Sequence, residues 1–278
     1  MSHSQLIDVL MVNPTVELTP TETDTGLEAK YEYQPLSNLI YTRDQQITTA
    51  RGVIMGRLHS KQRQSEVELM SYCFKKIGTV TNRHMNKLTT PIGIPVLGAI
   101  EDPGYLEGGD FYPAGGDLCF IGIGLRSNYE ACQQLMEQDW LGTTCVAIVK
   151  DELDQSQDRM HLDCVFNITG ADSCIMLEDL MDGTLSKRRL VDEYVIDSGT
   201  RRYRLEKRNV DFASYVQSKG FNIIPVSSEH QLQYACNVLN LGNGRIISVD
   251  ASSSREVVRS PHFHGTIQVR AYFPHKTK

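Results

Sequence analysis

The chain has 278 residues, of which 40% are apolar and 22% charged, and its formal net charge is −6. These proportions are ordinary for a soluble globular protein, and the length allows one or two domains. The acidic balance provides no basic field for nucleic acid, and no apolar run is long enough to span a membrane, so neither partner is predicted.

The seven cysteines are scattered along the chain, and no two have the C-x-x-C spacing of zinc or redox sites. Most of them lie beside Val, Ile, Leu or Phe. Reduced cysteines in such surroundings are typical of a protein core. Because no secretory h-region is present near the N-terminus either, a cytoplasmic location is predicted.

The first hundred residues predict few regular elements. The apolar run at residues 6–12 is typical of a strand, whereas the polar residues 15–34 indicate a long loop. Apolar side chains at helical spacing predict a helix over residues 65–74. Residues 93–100 are strand-like again.

Three segments share the order of a strand, a turn with Ser or Arg, and a helix. They are residues 52–70, 117–136 and 244–259. Such repetition indicates an internally repeated α/β architecture. Because no low-complexity linker separates two halves, one domain over residues 1–278 is preferred.

The remaining elements are predicted from simpler patterns. Residues 145–150 and 221–226 are further strands, and residues 211–219 form a helix that ends at Gly220. The highly charged residues 183–208 indicate a solvated helix with loops.

A histidine and a carboxylate stand two residues apart in His161-Leu162-Asp163, at the start of an apolar run. In a strand, residues i and i+2 point to the same face, so His161 and Asp163 are expected to project into one site. A carboxylate beside an imidazole suits general acid–base work near neutral pH.

Other carboxylates lie upstream, in Arg43-Asp44 and in Glu107-Gly108-Gly109-Asp110. Two adjacent glycines allow the backbone to approach a ligand closely. Carboxylates bind hard cations, but the histidines lack the spacing of a ligand set, and no metal is predicted. A planar guanidinium, whose paired N–H donors match carboxylates, fits this set better.

These motifs, in this order, resemble the arginine deiminase family of the guanidino-group-modifying superfamily. The resemblance runs from about residue 38 to residue 244, and its specific part is the pairing of Glu-Gly-Gly-Asp with His-Leu-Asp-x-Val-Phe about fifty residues later. It implies a five-bladed α/β propeller, also called a pentein, with the active site on its axis. It also implies hydrolysis of L-arginine to citrulline and ammonia without a cofactor.

The resemblance also implies the roles of single residues. Asp44 and Asp163 resemble the acids that hold the substrate guanidinium, Glu107 the partner of the histidine, and His161 the general acid–base. Asn38, Arg63 and Arg126 resemble the groups that bind the α-carboxylate end of the substrate. Arg43 and Asp110 are further candidates at the substrate site, of which Asp110 is expected mainly to shape the Glu-Gly-Gly loop.

The family reaction needs a cysteine nucleophile, which follows the last strand in a Gly-rich segment. Residues 257–273 resemble the final helix and strand, but no cysteine follows Cys236. The apolar flanks of Cys236 are expected to keep its thiol inert, so it is only a weak candidate. A truncated enzyme is expected, with a non-catalytic guanidino-binding protein as the alternative.

The reaction itself is left open among close relatives. An arginine dihydrolase, a methylarginine hydrolase and an amidinotransferase share the chemistry of a guanidinium attacked by a thiolate. The expected partner is L-arginine or another guanidino compound, and homo-oligomerisation is left open.

Overall fold

The computed structural model of the protein describes residues 1–22, 26–36, 38–81, 94–181 and 186–270. Within these residues the chain has a mixed α/β fold. The α-helices are α1 His3–Val12, α2 Gln64–Thr81, α3 Tyr129–Glu137, α4 Phe212–Ser218, α5 Ser228–Leu232 and α6 Ala251–Arg259. The strands are β1 Pro14–Pro20, β2 Leu27–Tyr33, β3 Gln46–Thr48, β4 Val53–Met55, β5 Val96–Ala99, β6 Phe111–Gly115, β7 Leu118–Ile123, β8 Cys145–Lys150, β9 Phe166–Ile168, β10 Ser173–Leu177, β11 Leu190–Ile196, β12 Tyr203–Asp211, β13 Asn222–Val226, β14 Leu239–Asn240, β15 Arg245–Ser248 and β16 Thr266–Val269.

Four sheets repeat one arrangement. An antiparallel pair of strands is followed by a helix and by a third strand, which joins the second strand in parallel. In chain order these units are β3–β4–α2–β5 (unit 1), β6–β7–α3–β8 (unit 2), β9–β10–α4–β13 (unit 3) and β14–β15–α6–β16 (unit 4). The three predicted repeats fall in units 1, 2 and 4, and unit 3 is an additional copy.

Strands β11 and β12 explain why unit 3 is hard to recognise from sequence. They lie between β10 and α4 along the chain, but they extend the sheet of unit 2, because β11 pairs with β8 and with β12. The prediction of a solvated helix with loops over residues 183–208 is therefore wrong for its described part, residues 186–208.

Several predicted elements in the centre of the chain are confirmed. Helix α3 begins at the cap residue Asn128, whose side chain accepts a hydrogen bond from the Ala131 N–H. Helix α4 has Asp211 as its cap and is followed by Gly220 at φ +90°. Strands β7, β8 and β13 also lie where they were predicted.

The predictions for the first 34 residues are wrong. Residues 6–12 are helical, in α1, whose start is fixed by a capping box between Ser2 and Gln5. Residues 15–34 contain an antiparallel ribbon of β1 and β2, in which Val16 is opposite Tyr31. Both corrections concern segments that contain no described buried residue.

The local structure at His161 also differs from its prediction. Leu162–Cys164 form a 3₁₀ turn, and β9 begins only at Phe166. His161 and Asp163 are both buried. Their positions are set by this turn, and they do not lie on one face of a strand as predicted. Residues 93 and 271–273, at the ends of two predicted strands, lie outside the described residues.

An apolar core joins units 2 and 3. Phe120 of β7 and Phe166 of β9 pack edge to face, with ring centroids 5.4 Å apart, and Phe212 contacts both rings. This packing holds the turn before β6 against the turn before β9. None of the described helices combines the length and the apolar character needed to cross a membrane.

Candidate active site

The site is built from equivalent positions of successive units. Asp44 lies just before β3, Glu107 just before β6, and His161 and Asp163 just before β9. All four residues are at most 6% exposed. The repeated fold therefore brings together predicted catalytic residues that lie more than a hundred positions apart along the chain.

His161 and Glu107 form a buried pair. The distance from His161 Nε2 to Glu107 Oε2 is 2.7 Å, and Glu107 Oε1 accepts a hydrogen bond from the His59 N–H at 3.1 Å. Burial opposes the charged imidazole, but the bond to Glu107 and the nearby carboxylates of Asp110, Asp163 and Asp44 raise the pKa of His161 to about 9. At neutral pH the imidazole is thus an imidazolium that carries a transferable proton.

The Glu107 carboxyl group stays ionised despite its burial. Burial acts to raise its pKa, but the hydrogen bond and charge of His161, the His59 N–H and the charge of Arg126 hold that pKa below its usual value. An ionised Glu107 orients the imidazole and keeps it protonated.

Asp110 connects the two turns that carry this pair. Its Oδ2 accepts a hydrogen bond from Ser127 Oγ at 2.6 Å, and its Oδ1 accepts one from the Leu162 N–H at 2.7 Å. Ser127 Oγ in turn accepts a bond from the Glu107 N–H at 3.2 Å. Burial raises the pKa of Asp110 to about 6. Both carboxylate oxygens of Asp110 thus accept hydrogen bonds from within the protein.

The two glycines between Glu107 and Asp110 are required by close contacts. A Cβ atom on Gly108 would lie 1.9 Å from the carbonyl oxygen of Arg43. One on Gly109 would lie 2.9 Å from His161 Nδ1 and 3.1 Å from Asp163 Oδ2. Gly109 thus lets the histidine and Asp163 approach the turn directly.

Asp163 lies on the far side of this turn, next to Arg43. The distance from Arg43 Nε to Asp163 Oδ2 is 3.6 Å, while the Arg43 guanidinium donates to the carbonyl oxygens of Gly108 and Phe111 at 3.1 and 3.3 Å. Burial raises the pKa of Asp163, against the opposing charges of His161 and Arg43. Arg43 therefore contributes a positive charge at the edge of the site and fastens the Glu-Gly-Gly turn.

Arg63 lies among the carboxylates. Its Nη1 donates to Asp44 Oδ2 at 2.9 Å and lies 3.8 Å from Glu107 Oε2, while Nε and Nη2 form a fork on Glu66 with distances of 3.0 to 3.3 Å. Gln45 donates to the same Glu66 carboxylate at 2.7 Å. A protein guanidinium thus already contacts Asp44, one of the two acids that were predicted to bind a substrate guanidinium.

The sequence analysis assigned no role to Glu66, which lies three residues after Arg63. The available signal was its spacing, since residues i and i+3 at the start of a helix are neighbours on its surface. Ser127 and the His59 N–H bind site residues that lie far from them along the chain. No local sequence pattern could have indicated these contacts.

Asn38 and Arg126 lie at the periphery. Asn38 is partly exposed, and its carbonyl oxygen accepts a hydrogen bond from the Tyr41 N–H at 3.0 Å. Arg126 is also partly exposed, but its buried Nε has no hydrogen-bond partner among the described residues. The charge of Arg126 reaches Glu107, whose pKa it helps to lower.

The thiols are poor nucleophiles in this structure. Burial raises the pKa of Cys119, Cys132, Cys145, Cys164, Cys174 and Cys236. Cys73 is exposed on α2. Cys236 precedes β14 of unit 4, a position equivalent to those of the site residues, but its side chain is fully buried and its pKa is raised. Cys164 lies 3.7 Å from Asp163 Oδ1, and its pKa is raised to about 12.

One group of side chains in the described residues has the composition of a metal site. Single donor atoms of Asp44, Glu107 and His161 lie within 4.8 Å of one another. However, the Asp44 and Glu107 carboxylates face Arg63 Nη1, and His161 Nε2 is bonded to Glu107. The donors are thus arranged around N–H groups, which favours a guanidinium over a metal ion as ligand.

Comparison with protein families gives one match, which covers most of the chain. The arginine deiminase family profile matches residues 7–258. The arginine deiminase of Halobacterium salinarum is 24% identical over 285 aligned residues, which cover 84% of this chain and 57% of that protein. The arginine deiminase of Staphylococcus haemolyticus is 27% identical, over 62% of this chain and 41% of that protein. The chain thus spans about half the length of the curated relatives it matches.

Solved structures show the same mixed α/β fold. A dimethylarginine dimethylaminohydrolase from Pseudomonas aeruginosa, solved as a cysteine-to-serine mutant with citrulline, has a TM-score of 0.54 and 19% identity, over 84% of this chain and 70% of that one. The N-terminal domain of ArgZ, a cyanobacterial arginine dihydrolase solved with its product, has a TM-score of 0.56 and 16% identity, over 84% and 68% of the two chains.

Proposed function

The chain belongs to the arginine deiminase family, and on this basis we propose that it binds L-arginine and serves the hydrolysis of its guanidino group to citrulline and ammonia. The observation that carries the proposal is the buried His161–Glu107 pair at 2.7 Å, with Asp44 and Asp163 beside it. The pair supplies a proton donor, and the acids supply the negative charge that a guanidinium needs.

The charges of the cluster match a monovalent cation. Five carboxyl groups face four cationic groups, which leaves one excess negative charge when all are ionised. The carboxyl groups belong to Asp44, Glu66, Glu107, Asp110 and Asp163, and the cations are Arg43, Arg63, Arg126 and His161. A guanidinium compensates that charge and forms paired hydrogen bonds with carboxylates.

The proposed reaction divides the work among these groups. Asp44 and Asp163 hold the guanidinium while a thiolate attacks its central carbon. His161, oriented by Glu107, gives its proton to the departing ammonia. It then removes a proton from the water that breaks the carbon–sulfur bond and releases citrulline.

Arg126 is proposed to bind the carboxylate of the amino acid, with Asn38 beside it. The buried, unpaired Nε of Arg126 supports this role. Arg63 was expected to share it, but its guanidinium contacts Asp44 and Glu66 instead. Arg63 is therefore proposed to set the charge and position of Asp44, and Arg43 those of Asp163.

The attacking thiolate is not assigned to any of the seven cysteines, because six have raised pKa values and Cys73 lies on α2. The same observation supports a second candidate function, in which the chain binds a guanidino compound without turning it over. An arginine dihydrolase or a methylarginine hydrolase would use the same groups, as would an amidinotransferase.

The fold is proposed to be a five-bladed propeller that forms a single domain over residues 1–278. The four repeated units support this arrangement, as do the equivalent positions of the site residues before β3, β6 and β9. A cytoplasmic location is proposed because all seven cysteines are unpaired thiols.

Calorimetric titration with L-arginine tests the proposal. Binding heat is expected for the wild-type chain and for Asp172→Asn, which removes an exposed carboxylate outside the site. Asp163→Asn is expected to abolish the heat. Equal binding by the wild type and Asp163→Asn would refute the assignment of the guanidinium site.

A further inference from the structure

The segment before His161 is a loop with little packing of its own. Residues 151–160 join β8 to the turn that carries His161, and none of the residues 152–160 is buried. The leucine of this loop, Leu153, is 61% exposed. Apolar packing therefore does not fix the path of the loop, and its position depends on polar contacts.

The loop folds back onto its own first residue. Asp151 Oδ1 accepts hydrogen bonds from the Asp154 and Gln155 N–H groups at 3.0 and 3.2 Å. The guanidinium of Arg159 forms a fork on the Asp154 carboxylate, with distances of 2.6 and 3.0 Å. Asp154 thus links the beginning of the loop to its end.

Arg189 closes this arrangement from outside the loop. Its Nη2 donates to Asp151 Oδ2 at 3.2 Å and to the carbonyl oxygen of Arg159 at 2.9 Å. One nitrogen atom therefore joins the first residue of the loop to the residue two positions before His161. Because Arg189 is only 3% exposed, water competes little for these bonds.

The backbone on both sides of His161 is thus held by buried side chains. Before the histidine, the Arg159 carbonyl oxygen is bonded to Arg189, and after it the Leu162 N–H is bonded to Asp110 at 2.7 Å. Asp110 lies just before β6 of unit 2, and Arg189 lies just before β11, which extends the sheet of unit 2. The inserted strands β11 and β12 therefore bring a second support for the histidine from the same sheet.

We propose that Arg189 is a positioning residue for His161, which fixes the start of the histidine turn as Asp110 fixes its end. The inference rests on the proposed function, in which His161 gives a proton to ammonia and then removes one from water. A group that serves two reacting atoms in turn must keep one position through both steps. The described hydrogen bonds of Arg189 go to the loop and not to the imidazole, so Arg189 acts through the chain.

Lysine is the conservative replacement for Arg189. Both bonds come from the single atom Nη2, and the buried Nε has no hydrogen-bond partner among the described residues. A lysine ammonium carries three donors on one nitrogen and can serve both acceptors. Arg189→Lys is therefore expected to preserve the support, whereas Arg189→Met removes it.

Lys150→Met is the matched control. Lys150 pairs with Asp192 at 3.0 Å and so joins the same two strands, β8 and β11. It contacts the loop only at the exposed Glu152, at the opposite end from His161. If Arg189 did no more than hold β11 against β8, the two methionine variants would have the same effect.

Proton NMR at neutral pH observes the His161 N–H that is bonded to Glu107. A buried proton in a short, charge-assisted bond resonates downfield of the amide region, and its loss in His161→Gln assigns the signal. The wild type, Arg189→Lys and Lys150→Met are expected to show the signal, and Arg189→Met is expected to lose it. Calorimetry should give an L-arginine dissociation constant about 10-fold higher in Arg189→Met alone, because a displaced turn also moves Asp163.

A signal that is unchanged in folded Arg189→Met overturns the inference, and so does an equal loss in Lys150→Met. A wild type without the signal overturns it too, because the histidine would then not be fixed. Circular dichroism checks that each variant is folded. Should Arg189→Met fail to fold, the double variant Arg189→Met/Asp151→Asn removes the pair without leaving a buried unpaired charge, and it takes the place of the single variant. A wild type that binds no L-arginine refutes the proposed function, while the NMR signal still decides the role of Arg189.

Discussion

Arg63 and Asp44 form an ion pair of 2.9 Å inside the cluster of acids that is proposed to receive the substrate guanidinium. The same arginine holds Glu66 with its other two donor groups. The protein thus contains its own guanidinium at the proposed site, and the acids are neutralised in part before any ligand arrives.

Removing this guanidinium is expected to destabilise the fold strongly. Arg63→Met leaves Glu66 and Asp44 buried without their cation, which should lower the free energy of unfolding by about 3–5 kcal/mol. Arg51→Met removes the exposed pair with Asp139 and should cost at most about 1 kcal/mol. Urea unfolding at neutral pH measures both. Similar losses would show that the Arg63 network contributes no more than a surface pair.

Stability is expected to fall as the pH rises from 6.5 to 9. The pKa of His161 is raised from 6.5 to about 9 in the folded chain, so its contribution is complete below pH 6.5 and is lost above the folded value. The loss is about 3 kcal/mol at most. His161→Gln should be less stable at pH 6.5 and should show a flatter profile in urea unfolding across this range. An unchanged slope in the variant would contradict the raised pKa.

A methyl group on Gly109 is expected to disturb the histidine. In Gly109→Ala the new Cβ would meet His161 Nδ1 at 2.9 Å, an overpacking that should cost about 1–3 kcal/mol of stability and reduce the heat of arginine binding. Gly199→Ala is the control, because its nearest neighbour would lie at 3.4 Å. Thermal melting and calorimetry compare the two. A Gly109→Ala variant that melts and binds like the wild type would rule out the close contact.

Because the attacking thiolate of the proposed reaction is not assigned to any of its seven cysteines, the 278-residue chain by itself is expected to bind L-arginine but to release no citrulline. A colorimetric citrulline assay measures this. Turnover that is lost in Cys236→Ser would identify Cys236 as the nucleophile despite its burial. Turnover that survives in Cys236→Ser would disprove the proposed division of roles.

The sequence predicted the identity of the site residues better than it predicted the secondary structure around them. The motifs at Glu107 and His161 named the residues of the buried pair, although sequence spacing alone could not have joined residues that lie 54 positions apart. The prediction of a strand at His161 was wrong because a 3₁₀ turn has no characteristic hydrophobic periodicity, so the sequence pattern could not distinguish it from the start of a strand. The side chain of Asp163 is buried by contacts with the Gly109 turn, which only the folded chain provides.

The errors in the fold have separate physical reasons. The run at residues 6–12 is apolar nearly throughout, and short runs of this kind do not distinguish a helix from a strand. The capping box at Ser2 and Gln5 was the deciding signal there. In the ribbon, the alternation of Ala29, Tyr31 and Tyr33 with charged residues is typical of a strand, but the polar composition of the segment suggested a loop.

The two bonds that Asp110 accepts from Ser127 and from the Leu162 N–H also constrain the order in which the protein can fold. Leu162 lies 52 residues further along the chain, so a growing polypeptide that ends before it cannot satisfy this buried carboxylate. Until unit 3 docks, the turn that carries Glu107 lacks its support, and the histidine has no defined place. We therefore expect the site to form late in folding, in one step with the docking of unit 3.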